Sequence, residues 1–150
     1  MDARTRNQIA SIIDDIDDMT IATVRNDGYP QATTVSYVND GLKIYFGTTS
    51  DSQKARNIAS NNKVSLTINR PYTTWDDIEG VSISGTAVLI TDKAEQDKVG
   101  ALLFKKFPQI ENYTPPDLPP DAMVLFRIGP QFICLLDYRK GFGHTELFEL

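Results

Sequence analysis

The chain has 150 residues, 41% of them hydrophobic and 23% charged, and a formal net charge of −5. That length suits one domain over residues 1–150 with a sizeable core, and the acidic balance argues against nonspecific nucleic-acid binding, which runs on phosphate neutralisation by Lys and Arg. No stretch approaches the roughly 20 apolar residues that span a bilayer, no apolar secretory segment follows Met1-Asp2-Ala3-Arg4, and the single cysteine, Cys134, excludes an internal disulfide and gives no help to a zinc site; a cytoplasmic protein contacting no membrane is expected.

The first element is helical. Ile9, Ile12, Ile13 and Ile16 recur at helical spacing and make one apolar stripe. Thr5 with Gln8 three residues on has the form of a capping box, which predicts a start near Arg6. Asp14, Asp15, Asp17 and Asp18 then form a solvated acidic face towards the C-terminal end, where the helix dipole disfavours them. Burial of the isoleucines must therefore supply most of the stabilisation.

Strands follow. Thr20–Arg25 is short and β-branched, Asn26-Asp27-Gly28 is a turn, Gln31–Val38 is a second strand, Asn39-Asp40-Gly41 a second turn, and Leu42–Phe46 a third strand. Strand, N-D-G, strand, N-D-G, strand predicts a three-stranded antiparallel meander. A short helix over Ser52–Ser60 turns Ala55, Ile58 and Ala59 inward and stops at Asn61-Asn62. Val64–Asn69 alternates apolar and polar residues as a half-buried strand does. A loop over Arg70–Glu79 carries Tyr72 and Trp75, and a long strand runs from about Val81 to Ile90.

Asp92 with Glu95 caps a third helix, whose stripe is Val99, Leu102, Leu103 and Phe107 and which Pro108 ends. Pro115-Pro116 and Pro119-Pro120 mark an extended surface connection. Two last strands, Val124–Ile128 and Phe132–Asp137, flank a Gly129-Pro130 turn; Cys134 is expected in the core and Arg127 on the barrel surface. The tail 138–150 holds two glycines and His144, the only histidine. Helix, three strands, helix, two strands, helix, two strands fits a mainly β antiparallel barrel with peripheral helices better than a parallel α/β sheet.

One stretch carries chemistry. From Tyr45 to Ile58, a strand ends in the hydroxyl-rich turn Gly47-Thr48-Thr49-Ser50-Asp51-Ser52, and a helix begins with Gln53 and Lys54 in its first turn. A helix N-terminus offers free N–H groups and partial positive charge; Thr48, Thr49 and Ser52 add hydroxyl donors and Lys54 a full charge. The set suits a terminal phosphate dianion, although the same pattern also suits an ordinary helix cap. Asp137–His144, with Arg139, Lys140 and His144 among its glycines, is a second candidate, either a flap that closes over a ligand or a simple terminus. No nucleophile motif accompanies His144, and there is no HExxH, CxxC or GxGxxG.

This stretch, together with Gly28–Val38 before it and Asn57-Ile58, Asn61–Leu66 and Glu79–Ala87 after it, resembles the pyridoxamine 5′-phosphate oxidase-like flavoproteins. The resemblance covers roughly residues 8–137 and is most specific from Gly28 to Leu66. It implies a six-stranded split β-barrel that pairs as a homodimer, with FMN in the grooves between subunits.

By that resemblance Thr33, Thr34, Val35 and Ser36 run along the flavin ring and ribityl chain. Gly47, Thr48 and Thr49 lie near the ribityl and phosphate, and Ser52, Gln53 and Lys54 hold the phosphate. Trp75 stacks on the partner subunit's flavin or packs at the interface. Gln53 replaces a basic residue common in the family, implying incomplete charge neutralisation. Gly80 replaces a flavin-contacting amide, implying a roomier or differently lined site. The terminal tryptophan and R-x-H cluster of the vitamin-B6 oxidases is missing, so B6 oxidation is not the expected activity.

The implied function is an FMN-dependent oxidoreductase acting on a small molecule. The alternatives are an FMN storage or sensing module and the same fold holding the deazaflavin F420 or haem.

Overall fold

The computed structural model describes residues 1–150. Helix α1 covers Ala3–Asp15, with Asp2 as its cap: the Asp2 carboxylate accepts from Thr5 N–H at 2.8 Å. The cap is thus three residues earlier than the Thr5–Gln8 pair predicts, because an aspartate ahead of the first turn meets the same free N–H groups. The early start also ends the helix early. Asp17 and Asp18 lie beyond it, and the acidic run is a helix end leading into a strand. Ile9, Ile12 and Ile13 are fully buried.

Eight strands form one sheet: β1 (Asp18–Val24), β2 (Pro30–Ser36), β3 (Val38–Asp40), β4 (Lys43–Thr49), β5 (Lys63–Asn69), β6 (Glu79–Leu89), β7 (Met123–Asp137) and β8 (Thr145–Glu149). Their order is β2-β1-β5-β6-β7-β4-β3, with β8 on β7. Helix α2 (Gln53–Ser60) follows β4, and α3 (Lys93–Lys106) follows β6. This is the split-barrel architecture, with two strands more than the expected six: the short β3 and the tail strand β8. No helix is long and apolar enough to cross a membrane.

The expected meander does not form. β2 pairs only with β1, whereas β4 pairs with β3 and β7. β2 and β3 are nevertheless one run of chain, separated only by Tyr37. Its first part lies along one end of the sheet and its last part along the other, so this run closes the barrel. Tyr37 is fully buried at the break, its hydroxyl donating to the Ile13 carbonyl at 2.6 Å. The Lys106 ammonium lies 4.1 Å from the centre of its ring and donates to the Ile16 carbonyl at 2.8 Å.

Gly129-Pro130 is not a turn either. β7 is a single strand of 15 residues, and its ladder with β6 shifts register between Ser84 and Gly85. A Cβ on Gly85 would meet the Gly129 carbonyl at 2.3 Å. Two glycines therefore let the strands touch where β7 bends.

The core lies inside the sheet: Ile21, Leu66, Ile83, Ile133 and Leu135 belong to a cluster with the α1 isoleucines and Phe46. Cys134 does not join it. Its neighbours Ile133 and Leu135 point inward, so Cys134 points outward and is half-buried. The tail is ordered: β8 pairs residues 145–149 with 132–136 of β7.

Candidate functional site

The β3–β4 ladder runs Val38↔Tyr45, Asn39↔Ile44, Asp40↔Lys43. Extended past Tyr37, it would set Ser36 opposite Gly47 and Thr34 opposite Thr49. That ladder is not made. β2 turns away to β1 and β4 stays with β7, leaving each with one unpartnered edge along this stretch. The expected site residues thus stand on the two facing sides of the split, Thr33–Ser36 on β2 and Gly47–Thr49 on β4. Thr33 and Val35 are half-buried towards the core, and Thr34 and Ser36 are exposed on the outer face.

Helix α2 caps one end of the split. Ser52 is its N-cap, its Oγ accepting from Ala55 N–H at 3.0 Å and from the Thr48 hydroxyl at 3.0 Å. Both bonds use oxygen lone pairs, so the Ser52 hydroxyl proton stays available to an incoming anion. The first intrahelical bond runs from Arg56 N–H to the Ser52 carbonyl, which leaves the Gln53 and Lys54 N–H groups without an intrahelical acceptor. Lys54 is half-buried, and desolvation alone lowers its pKa, with no neighbouring charge or bond to offset it. By contrast, half-buried Lys106 has a carbonyl and a ring for its charge.

One element of the site was missed in the sequence. Asn57 is buried rather than Ala59, which is exposed. The Asn57 amide donates to Thr23 Oγ1 at 3.0 Å and to Gln31 Oε1 at 3.1 Å, and accepts from Gln53 Nε2 at 2.7 Å. This network ties α2 to β1 and β2, fixing the cap against one side of the split. The available signal was the helical spacing of Gln53 and Asn57, one turn apart on the inner side of α2.

Trp75 is not brought to this cradle within one chain. It sits in a short 3-10 turn (Trp75–Asp77) before β6, 68% exposed, its ring 5.8 Å from that of Phe142. β6 begins beside Asp137, whereas Thr49 pairs with Met123. The two ends of β7 are separated by ~45 Å of strand path. The tail lies at the Trp75 end, with His144 Nε2 3.0 Å from Glu146 Oε1. At Gly80 the expected alternatives are more room or a different lining, and the lining differs. A Cβ there would meet Asn69 Oδ1 at 2.2 Å, so the Asn69 amide takes that space.

Residues 5–129 match the family model for pyridoxamine 5′-phosphate oxidase. The chain belongs to the pyridoxamine 5′-phosphate oxidase family. No curated protein matches it in sequence. Several solved structures share its fold. A haem-binding protein from Mycobacterium smegmatis superposes with a TM-score of 0.79 at 17% identity, over 99% of this chain and 58% of that one. This family member therefore spans little more than half of that protein. General Stress Protein 26 from Bacillus anthracis matches with a TM-score of 0.73 at 21% identity, covering 98% of this chain and 99% of its own. The haem storage protein HutZ from Vibrio cholerae matches with a TM-score of 0.69 at 18% identity, covering 95% and 92%. Two of these structural relatives are thus named for haem.

Proposed function

We propose that this chain is a cytoplasmic, FMN-dependent oxidoreductase that works as a homodimer on a small molecule. The observation that carries the reading is Lys54: a half-buried ammonium without a counter-ion, at a helix N-terminus, at the end of a cleft with two free strand edges. The residues fit the group. The free edges of β2 and β4 supply backbone donors and acceptors for a polar ring system and its ribityl chain. The Ser52 hydroxyl, the free N–H groups of Gln53 and Lys54 and the Lys54 ammonium suit a phosphate.

Bound FMN supplies the redox chemistry, taking and returning a hydride or electrons. The chain's own residues bind and orient. Residues 33–36, 47–49 and 52–54 contain no ionisable side chain other than Lys54, so no acid, base or nucleophile is assigned. The haem alternative is less well supported, because the only histidine is already engaged by Glu146 at the far end of β7.

The outer face of the sheet supports the dimer. Paired residues share a face, so Thr34, Thr20, Thr67, Ser82, Cys134 and Leu147 form one row across six strands, and Ala32, Ala22, Ser65, Ser84 and Phe132 a second. The first row carries no charge, and the second none until it reaches Glu149, which pairs with Phe132 at the far edge on β8. Leu147 is 72% exposed. A sheet face whose middle is small and uncharged suits packing on a second sheet, and a partner there would cover Thr34 and one side of the cleft, excluding water from a flat ligand.

The test is the absorption spectrum of the isolated protein and its mass by light scattering, followed by reduction with NADH or NADPH and reoxidation by an acceptor. A flavin spectrum, a two-chain mass and turnover are expected. Bound FMN without turnover would leave a storage or sensing module, and a Soret band or a deazaflavin spectrum would replace the cofactor. Ser82→Arg, in the middle of the uncharged row, is expected to give a one-chain mass and to lose flavin.

A further inference from the structure

Gln53 occupies the place where a second positive charge would be expected beside Lys54, and its neutral amide is engaged at both ends within α2. Its Nε2 donates to Asn57 and its Oε1 accepts from Arg56 Nη2 at 2.9 Å. Arg56 folds back along α2 towards the N-terminal turn, its Nη1 donating to the Asp51 carbonyl. Its guanidinium is thereby fixed over the first turn by two neutral oxygens and touches no carboxylate. Arg25, Arg70, Arg127 and Arg139 each pair with Asp or Glu. In a chain of net charge −5, Lys54 and Arg56 are two cations on one helical turn, both without counter-ions.

We propose that Arg56 is the second cation of the cradle, held by Gln53, so that a phosphomonoester dianion is neutralised by Lys54 and Arg56 together. Gln53 is then a positioning residue, joining the guanidinium to the buried Asn57 network. The charge missing at position 53 is supplied from position 56, from the same helix face. This rests on the flavin phosphate reading, and it concerns the tail of the ligand, not its ring. Arginine suits the task because its remaining N–H groups can meet phosphate oxygens while others hold the protein.

Flavin fluorescence titrations with FMN and with riboflavin, which lacks the phosphate, separate the two claims. Arg56→Ala is expected to raise the FMN Kd at least tenfold and to leave riboflavin unchanged, with Arg56→Lys restoring part of the loss. Gln53→Ala is expected to weaken FMN several-fold although Arg56 is intact. FMN binding should also become less sensitive to salt in Arg56→Ala, because one screened ion contact is gone.

If Arg56→Ala binds FMN like the wild type while Lys54→Ala does not, Arg56 has no part in the cradle and the flavin reading stands. If the wild type fails to bind FMN but broadens the phosphorus resonance of inorganic phosphate, and Arg56→Ala abolishes that, the flavin reading falls and the two-cation cradle stands. If neither probe binds, both fall. Arg56 is exposed, so a folded variant is expected, checked by an unchanged melting curve.

Discussion

At one end of β7, Glu79 and Asp137 are buried and all four of their carboxylate oxygens are met. Arg70 and Arg139 take Glu79, while Arg139 and Gln8 take Asp137. At the other end, Lys54 and Arg56 face no carboxylate at all. The first set is closed, and it fastens α1 to the ends of β6 and β7. The second set is open. A folded chain tolerates an uncompensated half-buried cation only at some cost, so the difference separates charges that hold the barrel from charges that, on the proposed function, await a ligand.

The contrast is tested first where the effect is largest. Asp137→Ala leaves Gln8 without its acceptor and Arg139 with Glu79 alone, and is expected to cost about 2.5 kcal/mol of folding stability, within the range for hydrogen bonds to a charged group, read by urea unfolding. The same carboxyl is held at about 2 by the Arg139 guanidinium and the Gln8 amide. A carboxylate depressed in the fold contributes stability in full above its ordinary value near 4. That stability is lost as pH falls from there through about 2, and Asp137→Asn should flatten the acid limb.

Lys54→Ala is expected to do the opposite. FMN affinity falls by about 2 kcal/mol, the size of a charge-assisted hydrogen bond, while the flavin-free protein melts no lower than the wild type. A loss of stability comparable to that of Asp137→Ala would erase the distinction between the two ends.

Asn57→Ala removes the amide that links α2 to β1 and β2. It should cost about 1.5 kcal/mol of stability and also weaken FMN, because the cap is no longer fixed. Tyr37→Phe deletes the buried bond to the Ile13 carbonyl and should cost about 1 kcal/mol, leaving FMN affinity unchanged if the hydroxyl matters only for the barrel closure.

How much of this was legible in the sequence follows from the range of each interaction. Local signals read well. The isoleucine stripe, the alternation in β5 and the Asp92 cap all act within one element, and the structure keeps them. The meander failed because two N-D-G turns dictate hairpins but not which sheet edge the next strand joins. Only Tyr37, an ordinary aromatic in a β-branched run, marks the break. Gly129-Pro130 reads as a turn locally, yet Gly85, forty-four positions earlier, makes it a point of strand contact. Asn57 was missed because two of its three partners, Thr23 and Gln31, come from strands more than twenty positions earlier. The Ser52 cap with Lys54 behind it was visible because turn, cap and lysine are contiguous. The Gln53–Arg56 bond was not, because a short helix leaves the direction of an exposed guanidinium open.

The pairing of β4 has a bearing on how the protein is made. Its partners run from Thr49↔Met123 to Ile44↔Ile128, that is, 74 to 84 positions downstream. Closing so long a loop is slow and entropically unfavourable until the contacts are in place. During synthesis, therefore, α2 emerges early with its cations exposed, while the strand that holds β4 beside it waits for residues 123–137. A ribosome-bound chain halted before residue 123 would display Lys54 and Arg56 without the wall behind β4, so the surroundings of these two cations take shape only after β7 has been made.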